Sequence, residues 1–188
     1  SARNTAVGYQ AAYSLTDGGN KNNVAMGYKS MYATTTGDNN SAYGAYSLDA
    51  NTTGANNSAI GYGSLGVNTT GAENTAVGFG SLASNTTASE NTAVGYKALE
   101  DNTTGYNNTA VGRLALGNNT TAAHNTAVGY QSLYSNTTGQ LNAAFGRLSA
   151  YTTTTGSYNT ALGTSSMYYN TTGAENVAVG RDAMFQNT

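Results

Sequence analysis

The chain has 188 residues, a formal charge of −2 and only 9% charged residues, against about 25% in an ordinary soluble domain. It contains 24 Gly and 15 Tyr but no Pro, Cys or Trp, which excludes a disulfide framework and leaves the redox compartment unread. The weak charge gives no reason to expect nucleic acid or an anionic membrane surface as partner, no apolar run reaches the ~18 residues of a membrane span, and no motif calls for a cofactor.

The first residues, Ser1-Ala2-Arg3-Asn4, have neither signal-peptide nor transit-peptide character. The last two, Asn187-Thr188, stop inside a repeat. Residues 1–188 therefore read as one repeat domain, a segment of a longer fibrous protein.

The repeat is anchored on the glycine of a recurring Ala-Val-Gly, at Gly8, Gly27, Gly44, Gly61, Gly78, Gly95, Gly112, Gly129, Gly146, Gly163 and Gly180. The first step is 19 residues and every later one is 17. Such regularity means eleven equivalent places in a stack. The consensus is N-T-A-V-G-Y-x-[AS]-L-x-x-N-T-T-G-x-x. Seventeen residues are too few for a helical-hairpin repeat, which needs about 33, and Asn, Thr, Gly and Tyr are poor helix formers. Two short apolar segments per copy, parted by Gly and Asn, read as strands and turns. The predicted fold is an all-β parallel solenoid of eleven coils, with strands about 4.8 Å apart along the axis.

Taken in order along each copy, the strict positions have separate physical reasons. The Asn four before the anchor (Asn57, Asn74, Asn91, Asn108) can form a stacked amide ladder. The Ala two before it (Ala76, Ala93) permits close packing. The apolar residue one before it (Val77, Val94, Val111) and the Leu four after it (Leu82, Leu99) are the core candidates. The anchor itself (Gly78, Gly95, Gly112) implies a positive φ or a close backbone approach. Asn-Thr-Thr-Gly closes the coil as a turn. The Val and Leu rows are expected to fill different cores, one within the chain and one between chains. Asp at Val94 and Val111 is expected to abolish folding. Two large apolar side chains per coil are a thin core, so a homotrimer is expected.

The motif N-[ST]-A-[VI]-G-x-x-[AS]-L, as in Asn57–Leu65 and Asn91–Leu99, resembles the head repeats of trimeric autotransporter adhesins. With Asn-Thr-Thr-Gly added, it looks like repeat regions of phage tail fibres. The resemblance covers essentially the whole chain. It implies a left-handed, trimeric β-roll and an extracellular, cell-surface or virion location. It also implies a structural or adhesive rod that holds a binding tip, with a cell-surface glycan or receptor as a possible contact. The coil is longer than that of the adhesin heads, by residues around the Asn-Thr-Thr-Gly turn.

Catalysis has little to work with. His124 is the sole histidine and falls in a variable slot, and Glu100-Asp101 are neighbours whose side chains diverge in a strand. The chain is read as a non-enzyme without a metal site. One Val-Gly-x-x-[AS]-Leu hexapeptide per coil falls short of the three found in hexapeptide acyltransferases. Adjacent Thr pairs such as Thr52-Thr53 differ from the Thr-x-Thr of flat ice-binding solenoids, leaving one Thr file per coil for that alternative. A solenoid without polar caps makes end-to-end filaments a further alternative. Asn-x-Thr sequons recur at Asn51, Asn68, Asn85, Asn102, Asn119, Asn136 and Asn170, where glycans one coil apart would crowd. Tyr62, Tyr96 and Tyr130 could stack on sugars or on one another, and Arg113, Arg147 and Arg181, two coils apart, interrupt the Tyr row with charge and offer surface contacts.

Overall fold

The computed structural model describes residues 3–16 and 21–186. Asn187-Thr188 and the start of the chain at Ser1-Ala2 lie outside the described residues, as do residues 17–20, beside which the first step gains its extra length. Eleven three-residue strands follow one another: β1 (Thr5–Val7), β2 (Val24–Met26), β3 (Ser41–Tyr43), β4 (Ser58–Ile60), β5 (Thr75–Val77) and β6 (Thr92–Val94). The rest are β7 (Thr109–Val111), β8 (Thr126–Val128), β9 (Ala143–Phe145), β10 (Thr160–Leu162) and β11 (Val177–Val179). Each pairs in parallel with the next, in sequence order, within one sheet. Register is strict, as in Ala76↔Ala93 and Val77↔Val94. The protein is a parallel β-solenoid.

Alternation along each strand decides what lies inside. The central Ala of β2 to β11 is buried, while the flanking residues face outward. Opposite the Ala row stand Met31, Leu48, Leu65, Leu82, Leu99, Leu116, Leu133 and Met167, all without solvent exposure. Leu82 and Leu99 are thus core residues. The Val row corrects the sequence expectation: Val77 and Val94 are half-buried and Val111 is 37% exposed. The physical reason is the two-residue period, which sends Val outward when Ala points in.

The leucines adopt an unforeseen backbone. Leu82, Leu99, Leu116 and Leu133 have φ of 50–52°, and the residue two positions earlier is also left-handed wherever it is Lys97, Leu114 or Gln131. Left-handed residues cost about 1–2 kcal/mol each. The alternation flips successive peptides so that both neighbouring coils are served. Lys97 N–H donates back to the Phe79 carbonyl at 2.9 Å, and Leu99 N–H donates forward to that of Ala115 at 3.0 Å. The anchor glycine has a separate need. Gly95 has φ +137°, and a Cβ there would sit 2.6 Å from the Gly112 carbonyl oxygen.

Two amide ladders line the interior. In the first, Asn57 Nδ2 donates to the Gly71 carbonyl at 2.9 Å, and its backbone N–H donates to Asn40 Oδ1 at 2.9 Å. Asn74, Asn91 and Asn108 repeat this pattern one coil on. In the second, Asn68 Nδ2 bridges Asn51 Oδ1 (3.0 Å) and the Gly71 carbonyl (2.9 Å). Asn85, Asn102, Asn119 and Asn136 continue it. Near the first coil, Lys21 is buried, its Nζ donating to the Thr16 and Thr35 carbonyls at 3.1 and 2.6 Å.

The second ladder is broken where Thr153 replaces Asn. Asn136 Oδ1 and Thr153 Oγ1 are buried without partners. An unpaired buried polar atom costs about 1–3 kcal/mol. Thr153→Asn should rejoin Asn136 to the chain of amides and stabilise the protein by ~1–2 kcal/mol, read as a higher denaturation midpoint. By contrast, Leu99→Ala should cost about 2–5 kcal/mol by the same measurement.

Candidate functional site

The surface is organised as longitudinal rows rather than as a cleft. The outer face of the sheet carries the first and third residue of each strand, and no strand residue is charged. Its apolar row runs from Val7 to Val179. Ile60 (44%), Phe145 (42%) and Val111 are exposed on it, with Val77 and Val94 half-buried.

Beside it, the position after the anchor builds a stack of planar groups from Tyr9 to Arg147, ending at Thr164. Tyr9 and Tyr28 lie 5.5 Å apart, Tyr62 and Phe79 5.3 Å, and Phe79 and Tyr96 5.5 Å. Ala45 would break the row, but Tyr46, one residue later, fills the gap edge-on at 5.3 and 5.7 Å from Tyr28 and Tyr62. Arg113 replaces an aromatic ring with a guanidinium, 5.4 Å from the Tyr96 centroid and 5.6 Å from that of Tyr130. Arg147 lies 5.9 Å from Tyr130 on its other side. Stacked neighbours cover the ring faces, so Tyr62, Tyr96 and Tyr130 offer edges and hydroxyls to a ligand. Sugar stacking at those residues therefore has little free ring face to use. Arg181, at the far end, pairs with Asp182 at 3.1 Å.

A second aromatic row, invisible in the consensus, occupies only the ends. Tyr13 and Tyr32 stack at 5.4 Å, and Tyr134, Tyr151 and Tyr168 at 5.6 and 5.1 Å. Asp49, Gly66, Ala83, Glu100 and Gly117 hold the equivalent places between them. Glu100 pairs with Lys97 at 2.8 Å, while its neighbour Asp101 makes no ion pair among the described residues. His124 is exposed and meets the Tyr106 ring edge-on at 5.1 Å. Among the described residues no three His, Asp or Glu side chains converge on a metal-sized site.

The turn resolves the threonines and the sequons. The first Thr of each pair bonds the next coil, as Thr69 Oγ1 does to the Thr86 carbonyl at 3.0 Å. The second is exposed, from Thr36 through Thr70 and Thr104 to Thr172. The Asn-Thr-Thr asparagines, such as Asn85 and Asn102, are fully buried with Nδ2 hydrogen-bonded, so the folded rod does not present them for glycosylation, whereas Asn56 and Asn107, which also begin Asn-x-Ser/Thr triplets, are exposed.

No protein family, curated protein or solved structure matches the chain. Function is therefore read from the rows themselves.

Burial raises the Asp49 carboxyl above its ordinary range, with Lys29 opposing. Protonation of this group therefore favours the folded state. Its contribution is full below the unfolded value and fades as pH rises through the raised one. The two ion pairs are surface pairs worth little. The rod should melt no lower at pH ~4 than at pH ~7, and Asp49→Asn should raise the midpoint at the higher pH; circular-dichroism melts check both.

Proposed function

We propose that the chain is a rigid rod segment of a trimeric tail fibre or surface adhesin, outside the cell or on a virion, spacing a binding tip from its base. The observation that supports this best is the outer strand face. It is uncharged over eleven strands, and its apolar row faces solvent in the single chain. At ~4.8 Å per strand and ~10 Å for three strand residues the face offers about 500 Å², below the ~800 Å² per partner of a standard stable interface, so the aromatic and turn residues flanking it must share the contact. Identical rows at one spacing let copies pack side by side with every strand in an equivalent contact. In-register hydrogen bonding along the axis supplies stiffness without any catalytic group.

This placement changes the expectation for the Val row. Its substitution acts on association before it acts on folding. Ile60→Lys, Val111→Lys and Phe145→Lys together should leave the circular-dichroism spectrum of the wild type but reduce a sedimenting trimer to monomer. A wild-type monomer at high concentration would overturn the trimer. Open-ended growth would instead support filaments stacking through the free edges of β1 and β11.

Ice binding is the second reading, favoured by the exposed file of second threonines. Their hydroxyls have no hydrogen-bond partner among the described residues, and the file continues unbroken for nine coils from Thr36 to Thr172. Thermal hysteresis that disappears in a Thr70→Val, Thr87→Val, Thr104→Val variant would support it, and absence of hysteresis in the wild type removes it.

A further inference from the structure

We propose that the edge carrying Arg113, Tyr130 and Arg147 binds a linear polyanionic glycan, a polymer with carboxylate or sulfate groups at regular intervals, laid along the rod axis. The proposal names a ligand class for the adhesive part of the rod reading. It rests on that reading only for the gain from several copies.

Charge distribution is the first observation. Seven of the nine acids precede residue 102, and residues 102–174 contain no Asp or Glu at all. Arg113 and Arg147 lie in that stretch, both exposed. No carboxylate is close in sequence to compete for them, unlike Arg181, which Asp182 holds at 3.1 Å.

Geometry is the second. The Arg113 guanidinium is sandwiched between the Tyr96 and Tyr130 rings at 5.4 and 5.6 Å, and one of its nitrogens donates to the Tyr130 hydroxyl at 3.3 Å. Arg147 covers the other side of Tyr130 at 5.9 Å. Each guanidinium is held beside a tyrosine ring and stays exposed, so N–H groups not used on the Tyr130 hydroxyl are available to carboxylate or sulfate. The two forks are two coils apart, ~10 Å at the strand spacing, with the Tyr130 hydroxyl between them. An extended sugar polymer charged at intervals fits sparse, rigid cations. Single-stranded nucleic acid needs free aromatic faces on which bases stack, and here the arginines cover the Tyr130 ring.

The test uses the whole chain, retained on immobilised alginate and heparin at low salt, with dextran as the neutral control and oligothymidylate as the nucleic-acid arm. Wild type should bind both acidic glycans, ignore dextran, bind oligothymidylate more weakly and elute by ~0.5 M salt. Arg113→Tyr with Arg147→Tyr restores the ring that most coils carry there, so the stack survives and the charge is lost. That variant should keep its melting midpoint and lose about tenfold in affinity. Lys29→Ala, a cation on the Tyr28 and Tyr32 rings near the other end of the rod, should bind as wild type does. Equal binding by the double Tyr variant, equal retention on oligothymidylate, or no wild-type retention on either acidic glycan would overturn the proposal. Sedimentation reports separately on the trimer, so a monomer that still binds leaves this site standing and removes only the rod assembly.

Discussion

Each coil has no helix and only three strand residues, so most of its backbone groups find partners one coil away and only short turn bonds, such as Asn68 N–H to the Leu65 carbonyl, close within a coil. Many interior polar groups also pair one coil away, while others, such as Ser64, close within their own coil. The consequences run through the molecule. Strands pair in exact succession, the Asn57 and Asn68 ladders climb one coil at a time, and the Thr69 hydroxyl reaches the Thr86 carbonyl. Even the left-handed leucines follow from it, because alternating peptides let Lys97 and Leu99 bond backward and forward in turn. A substitution is tolerated where it preserves a link to the next coil and is felt where it removes one, as Thr153 does to Asn136.

A thin apolar core is workable under that constraint. Counting only large apolar side chains, one Leu per coil faces one Ala, and the rod looks underprovided. Buried amides and serines supply the missing interior. Ser64 donates to the Gly61 carbonyl at 3.0 Å, and the Asn rows are buried through the middle coils and bonded except at the Asn136–Thr153 break. These groups contribute because nearly all of them are satisfied. The same amides, left unpaired, would weigh against folding. The outer apolar row is then spare rather than structural within one chain.

The surface rows divide labour in the same way. The planar stack covers its own faces and so protects one edge of the rod, with Tyr46 closing the gap left by Ala45. Where guanidinium enters the stack, at Arg113 and Arg147, the edge gains exposed hydrogen-bond donors beside the Tyr96 and Tyr130 rings. The second Thr of each turn is exposed and unbonded, in contrast to the first.

Much of this was legible in the residues alone. A 17-residue period of short strands and turns suits coils stacked along an axis, so the parallel solenoid, the stacked Asn, the close-packed Ala, the buried Leu99 and the close approach at Gly95 could be read from the residues. The tertiary structure decided what periodicity leaves open. Val and Leu are both apolar and equally regular, and only the actual path of the coil sends Val111 outward and Leu99 inward. Positive φ at a leucine runs against local preference and is imposed by neighbours on both sides. Tyr46 joins the stack from the wrong position in the repeat because proximity across coils, not place in the consensus, determines which rings meet.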